Sequence, residues 1–476
     1  MDHLGWHSVA DYFHFTATEK RCTHMHNIAE TAPGEPPRAT SRFRESKAKM
    51  ASAASLVGSS LEYYDYMLYA TAAALIFPRV FFPESDTSTA LMLSFATYGV
   101  SYLARPVGAF VLGSVGDRIG RKILLQFTIL LMGAATLGIG LLPGYDTIGI
   151  AAPILLVFFR ILQGFSTAAE ASAGSALSLE HAPDNRRAFM SSWTMSGVQG
   201  GQALASLAFI PVAMLPDDAL YTWGWRIPFL LSVVILVVAV FVRRMVPETP
   251  EFEQARAEGT IDRTPIRYML KHHWRDTGRV LLCSFYAVPS SLATVFGLSY
   301  ATSDAVGVSR DVMLTSVLAA NVVAIGAQPL WGTVADKFGR KPVFITGLVG
   351  SLIGLWAFFE AIETANTAAI AVTTIVFLGF LYTAANGIIP AFFTEMFPTR
   401  VRTLGMACGM QIGLLLFGFA PSIVQWLRGD ETSPMTSVLL VAGVAIALAG
   451  VGALTARETH RIPTADLGAP KIKTSR

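Results

Sequence analysis

Charge is what this chain has little of: Asp, Glu, Lys and Arg make up 14% of its 476 residues, against about a quarter in an average soluble protein. Long stretches contain almost none, which argues against a chain folded wholly in water. The 36 basic and 33 acidic residues leave a net charge of +3, so no single-sign field of the kind that draws nucleic acid is present. Cysteine is equally sparse. Cys22, Cys283 and Cys408 are odd in number, far apart and without CxxC spacing, so neither a disulfide framework nor structural zinc is expected. There is no G-x-x-x-x-G-K-[ST] loop, no HExxH and no G-x-S-x-G, which leaves an ATP-driven pump or a membrane enzyme without support. Asp336-Lys337-Phe338-Gly339 faintly echoes a phosphorylated D-K-T-G loop but lacks its threonine. No enzymatic activity and no cofactor are expected. No basic segment followed by an apolar core marks a cleaved signal peptide, and Met25 or Met50 is an alternative start.

Apolar sequence is what is present. Hydrophobic residues make up 53% of the chain, and mean hydropathy is +0.49. A helix crossing the hydrocarbon core needs about 20 residues. Twelve stretches are long enough: near 51–77, 88–114, 123–142, 151–178, 188–213 and 226–245, then near 278–300, 312–335, 342–360, 367–393, 403–427 and 435–455. The expected organisation is a disordered tail (1–49), a six-helix bundle (50–245), a charged loop (246–277), a second bundle (278–456) and a tail (457–476). On the side holding both termini 28 Lys and Arg gather, against four on the other side, so both termini and the central loop are expected in the cytoplasm. The setting is the plasma or inner membrane, with the bilayer as solvent.

Two motifs repeat. Gly113-x-x-x-Asp117-Arg118-x-Gly120-Arg121-Lys122 follows the second span, and Gly332-x-x-x-Asp336-Lys337-x-Gly339-Arg340-Lys341 follows the eighth, 219 residues later. Glu180-His-Ala-Pro183 with Arg186 and Arg187, and Glu395-Met-Phe-Pro398 with Arg402, follow the fourth and tenth spans at an offset of 215. Two motifs at nearly one offset imply duplicated halves. The loop after the second span resembles the signature of the major facilitator superfamily. Leu61-Glu62-Tyr63-Tyr64-Asp65-Tyr66, Ala104-Arg105-Pro106, Arg160-Ile-Leu-Gln163-Gly164, Trp223-Gly-Trp-Arg226-Ile-Pro-Phe and Glu395-Met-Phe-Pro-Thr resemble more narrowly its metabolite:proton symporters, carriers of the shikimate, alpha-ketoglutarate and proline/betaine type. The resemblance covers about residues 45 to 460. It implies an all-α integral membrane protein of twelve transmembrane helices in two six-helix bundles, working by alternating access on the proton gradient, and monomeric. Relatives read GGEWGG in the fourth span where this chain reads Ala168-Ala169-Glu170-Ala171-Ser172-Ala173, a departure that touches substrate preference.

Ionisable groups inside spans cost about 2.5–3.5 kcal/mol at the bilayer centre and mark functional sites. The first half holds five: Glu62, Asp65, Arg105, Arg160 and Glu170. Glu62, Asp65 and Tyr69 share a helix face by spacing, and Asp65 and Arg105 sit at compatible depths, about 18–20 Å into their spans. An Asp65–Arg105 pair at mid-depth is therefore expected. Protonation of Asp65 would free the forked donors of Arg105 for a substrate carboxylate; a permanent structural pair is the other reading. Asp65, Glu62 and Glu170 are the expected proton-coupling residues, though Glu170 equally suits a bond to a neighbouring helix. Arg160 with Gln163 resembles the proton-linked motif of span four, with helix bracing as the alternative.

The expected substrate-binding set is Arg105, Arg160, Gln163 and Tyr69, with neutral polar groups of the second half, Tyr286, Asn321, Gln328 and Asn386. Ser290, Thr294, Tyr382 and Gln411 are weaker members, since such residues commonly bond across helix contacts. Tyr63 and Tyr64 read as packing or lipid-facing. Gly113, Asp117, Arg118, Gly120, Arg121, Asp336, Arg340, Glu395 and Arg402 form the expected gating loops, with Asp117–Arg121 and Asp336–Arg340 spaced to pair. The function expected is proton-coupled uptake of a small organic anion. Rivals are uptake of a zwitterionic osmolyte, a drug:proton antiporter, whose G-P-x-x-G-G is replaced here by Ser196-Gly197-Val198-Gln199-Gly200-Gly201, and a non-transporting receptor.

Overall fold

A computed structural model describes residues 41–119, 121–167, 175, 178–179, 182–245, 265–429 and 433–468. Twelve principal helices run through them. In the first half they are α1 Ser41–Leu75, α2 Thr87–Ile119, α3 Arg121–Leu141, α4 Ala151–Ser166, α5 Arg187–Ala213 and α6 Arg226–Met245. The second half has α7 Trp274–Ala301, α8 Arg310–Phe338, α9 Arg340–Glu363, α10 Thr367–Thr394, α11 Arg402–Arg428 and α12 Met435–Thr455. By length and composition α7 to α12 each suffice to cross a bilayer. Local chemistry sets the ends. The Asn366 side chain accepts from the amides of Ala368 and Ala369 at 3.1 Å and caps α10. Gly339 alone separates α8 from α9 at φ +110°, a backbone conformation that a Cβ disfavours.

Three expected boundaries move. Helix α1 begins at Ser41 rather than near residue 50, because Arg44-Glu45-Ser46-Lys47-Ala48-Lys49 before the span is, Ser46 apart, made of good helix formers. The expected loop 246–277 contains a helix, Pro265–His272, and α7 starts at Trp274. Of the expected tail 457–476, residues 457–468 are described and pack against the protein, with Thr459 and Leu467 buried.

Within the halves, α1 packs on α5, α2 on α4 and α3 on α6, while α8 packs on α10 and α7 on α11 and α12. Close approach depends on small residues: a Cβ on Gly164 of α4 would lie 2.0 Å from the Ser101 carbonyl oxygen of α2. Two seams join the halves, α5 with α8 and α2 with α11. The duplication maps α2 onto α8 and α5 onto α11, so it exchanges the two seams, as a pseudo-twofold axis between the halves requires.

Candidate functional site

The halves enclose a cavity of about 70 Å³ lined by α1, α2, α5, α7, α8, α10 and α11. Its walls are aromatic. Tyr63 and Tyr66 come from α1, Tyr98 and Tyr102 from α2, Tyr286 from α7, Tyr382 from α10 and Phe417 from α11. The rings of Tyr286 and Tyr382 stack at 5.7 Å and 12°, and the Tyr286 hydroxyl donates to Asn386 Oδ1 at 2.8 Å. Neutral polar groups fill the gaps: Gln199, Gln202, Ser290, Thr294 and Asn321. Among the described residues lining the cavity, Arg105 is the one charged side chain.

Arg105 is 2% exposed. Its Nε donates to the Tyr66 hydroxyl at 3.1 Å, its Nη1 reaches Gln411 Oε1 of the other half at 3.5 Å, and its guanidinium lies 4.3 Å from the Tyr66 ring centre and 4.4 Å from that of Tyr102. Its Nη2 is buried with no hydrogen-bond partner among the described residues, as is Asn321 Nδ2 across the cavity. Leaving a buried donor unmade costs about 1–3 kcal/mol, more for a charged one, so these two atoms suit an acceptor brought by a ligand.

Asp65 does not pair with Arg105. No ion pair within 4.0 Å joins them; Asp65 turns away from the cavity, and its Oδ2 accepts from Thr136 of α3 at 2.9 Å. Gln163 Nε2 donates to the same threonine at 2.7 Å, and Arg160 Nη1 donates to Gln163 Oε1 at 2.9 Å. The basic group acting on Asp65 is thus Arg160, while Arg105 feels Glu62. Arg160 is fully buried, 3.8 Å from the Tyr69 ring centre and 4.8 Å from that of Tyr66. The physical reason is rotation. Each residue turns the helix by about 100°, and the face of α1 that meets the cavity carries Tyr63, Tyr66, Met67 and Ala70 rather than Asp65 and Tyr69.

Of the expected binding set, Arg105, Tyr286, Asn321 and Asn386 line the cavity. Arg160, Gln163 and Tyr69 stand behind it, with the Tyr69 hydroxyl donating to Thr97 at 2.7 Å. Gln328 lies two turns beyond Asn321 on α8, buried against Gly387. Tyr63, read as packing or lipid-facing, lines the cavity, whereas Tyr64 is packed and donates to the Pro228 carbonyl at 3.1 Å. Glu170 and Gly120, and the side chains of Asp117, Arg118 and Arg121 with the surroundings of Gly113, lie outside the described residues.

At the end where the chain's last described residues lie, charges read as a loop are buried. Arg340 Nη1 pairs with Asp336 at 2.9 Å, and Arg340 Nη2 and Arg187 Nε each lie 2.9 Å from Glu395 Oε1. Asp336 accepts the amides of Ala188 and Phe189 at 3.1 and 3.0 Å, tying α8 to the start of α5. Arg402 is buried there too. The segment after α12 locks this end. Glu458 accepts the amides of Arg340 and Lys341 at 2.8 and 2.9 Å, Thr459 donates to Glu395, and Arg187 donates to the carbonyls of Thr459 and Ile462 at 3.0 and 2.7 Å. Half-burial alone would raise the Glu458 carboxyl, but the amides of Arg340, Lys341 and His460 outweigh it and hold it below the ordinary value. The opposite end is closed as well. Gln425 of α11 donates to Ser88 at 3.0 Å, and Arg310 of α8, hydrogen-bonded to Asp217 at 3.0 Å, holds that carboxyl below its usual range.

Two duplicated helical halves around a central aromatic cavity that holds one buried cation and several neutral polar groups, tied together at both ends by bonds between the halves, define a membrane carrier. The chain belongs to the sugar (and other) transporter family, whose profile matches residues 50–267 and 269–467, and it has the major facilitator fold. It is 33% identical over 425 residues to the shikimate transporter of Escherichia coli K12, covering 87% of this chain and 96% of that one. To the proline/betaine transporter of the same strain it is 30% identical over 434 residues, covering 88% and 85%. Among solved structures it is similar to a partially occluded inward-open conformation of the xylose transporter XylE from Escherichia coli, with a TM-score of 0.68 at 18% identity over 87% of this chain and 99% of that one. These relatives are transporters, and the protein is a multi-pass membrane transporter, not an enzyme.

Sequence reasoning missed Tyr66, Tyr98, Tyr102, Gln199 and Gln202 in the cavity, and Arg187, Glu458 and Thr459 at the closed end. A signal existed for two of them: Arg187 lies four residues after the proline of the repeated Glu-x-x-Pro segment, as Arg402 does in the second copy, and Glu458 is an acid three residues beyond an apolar span. Nothing in the sequence marked which tyrosines face inward.

Proposed function

We propose that the protein takes up a small organic anion, a mono- or dicarboxylate, together with a proton. The observation that carries this reading is Arg105, a buried guanidinium with an unpartnered Nη2 beside a cavity whose described lining holds no carboxylate. A substrate carboxylate would accept from the fork in one plane. Asn321 Nδ2 would take a second acceptor, and the stacked Tyr286–Tyr382 pair, braced by Asn386, would support the apolar body between them. Arg160, Gln163 and Tyr69 act from behind, joining Arg105 to the proton site. The proton is assigned to Asp65, with Glu62 and Glu170 as further coupling groups. Asp336, Arg340, Glu395 and Arg402, with Gly113, Asp117, Arg118, Gly120 and Arg121 in the first half, serve as gates that re-form as the bundles (50–245 and 278–456) rock. The protein would work as a monomer in the plasma or inner membrane, both termini cytoplasmic, with the proton gradient as its energy source.

A second reading, uptake of a zwitterionic osmolyte, draws on the aromatic walls, because ring faces attract an ammonium. Purified protein in liposomes should separate the two. Shikimate, alpha-ketoglutarate, proline and glycine betaine are offered with an inward proton gradient and after its collapse by a protonophore. Gradient-dependent accumulation of a carboxylate but not betaine supports the first reading, and the reverse supports the second. Uptake indifferent to the gradient would rule out proton coupling.

A further inference from the structure

Two buried cations of the first half, Arg105 at the cavity and Arg160 beside Asp65, meet at one side chain. Tyr66 presents its ring to both, with guanidinium carbons 4.3 and 4.8 Å from its centre. Its hydroxyl accepts from Arg105 Nε at 3.1 Å and shares a hydrogen with Thr167 Oγ1 at 3.2 Å. Thr167 Oγ1 in turn lies 3.3 Å from the carbonyl of Gln163, the residue whose side chain links Arg160 to Thr136 and so to Asp65. A continuous run of contacts thus leads from the free donor in the cavity to the carboxylate behind it. The shortest route crosses Tyr66, the one ring among the described residues that lies within 5 Å of both guanidinium carbons; a longer one runs from Arg105 by Tyr102 and Tyr98 to Arg160.

Resting on the symport reading above, we propose that Tyr66 is the positioning residue through which substrate at Arg105 and a proton on Asp65 favour one another. A carboxylate in the cavity draws the Arg105 fork toward itself, weakening the Nε bond to the Tyr66 hydroxyl and the guanidinium's hold on one ring face. The ring and hydroxyl then resettle toward Arg160 and Thr167. Arg160 shifts relative to Gln163 and Thr136, and Asp65 loses part of the support of its charged form, so it takes a proton from water; on the other side of the cycle the proton returns to water as the substrate leaves. The titratable and charged groups around this path are Glu62, Tyr63, Tyr64 and Tyr69 of α1, Tyr98, Tyr102 and Arg105 of α2 and Arg160 of α4, with Thr136 the polar contact from α3. Coupling of this kind is reciprocal: the factor by which a proton tightens substrate binding equals that by which substrate tightens proton binding.

The test is the pH dependence of binding by full-length protein in detergent, with radiolabelled shikimate and glycine betaine as probes. Wild-type protein should gain close to tenfold in affinity for its substrate per unit fall in pH across the titration, the slope for one linked proton. In Tyr66→Phe, which keeps the ring and removes the hydroxyl, the gain should fall below about threefold per unit. Thr167→Val, which does not line the cavity, should act the same way and decides the matter if Tyr66→Phe does not fold. Wild-type slopes in the variants overturn the role of Tyr66, as does loss of binding at every pH in Tyr66→Phe with a normal slope in Thr167→Val. A wild-type protein that binds neither probe, or binds without pH dependence, overturns the symport reading itself, and Tyr66 falls with it.

Discussion

Glu395, the residue that follows α10, lies 2.9 Å from Arg187 of α5, an ion pair with both side chains fully buried that crosses from one half of the molecule to the other. Arg340 Nη2 approaches the same carboxylate oxygen at 2.9 Å. Removing one member of a buried network strands the others as unpaired charges, at about 3–5 kcal/mol. Glu395→Gln should therefore lower the melting temperature of the purified protein and open the end where residues 457–468 pack, read as faster labelling of a cysteine placed at that end. A melting curve matching wild type would contradict the arrangement.

Arg105 is expected to bind substrate as a fork. Arg105→Lys keeps the charge but offers an ammonium in place of two coplanar donors. Affinity measured by scintillation proximity should fall more than about tenfold, or about 1.4 kcal/mol, with Arg105→Ala weaker still. Equal binding by the lysine variant would show that charge alone suffices.

Asp65 is bonded to Thr136 rather than to Arg105, so its removal should separate coupling from exchange. Asp65→Asn should lose accumulation driven by a pH gradient while retaining substrate counterflow at a reduced rate. If gradient-driven uptake proceeds at the full rate, the proton resides elsewhere.

Glu458 offers a pH effect with a definite sign. Its carboxyl is held below the ordinary value in the folded protein, so its contribution is present above the unfolded value of about 4.3 and is lost as pH falls through the folded one. Between neutral pH and about 5 its tie to the start of α9 should be constant. Acidification below the glutamate range should erase the melting-temperature difference between wild type and Glu458→Gln. A difference that grows on acidification would reverse the assignment.

The twelve spans, the duplicated halves and the family could be read from the chain because each rests on local properties: apolar runs matched to a bilayer, and loop motifs repeated at fixed offsets. Span ten, read as 367–393, is the helix Thr367–Thr394. The identities of the buried ions were equally legible, since a charged residue inside an apolar run stands out whatever its partner.

Partners were another matter. Depth along α1 and α2 placed Asp65 level with Arg105, but depth fixes only one coordinate, and a turn of about 100° per residue sent Asp65 to Thr136 and Tyr66 to Arg105. The aromatic lining and the burial of Glu395 between Arg187 and Arg340 bring together residues from five or more helices, and no spacing within one helix encodes them. Composition and period determined that this is a two-fold repeated membrane carrier; how each helix rotates against its neighbours decided which charges meet, because side-chain contact depends on packing between segments far apart in the chain.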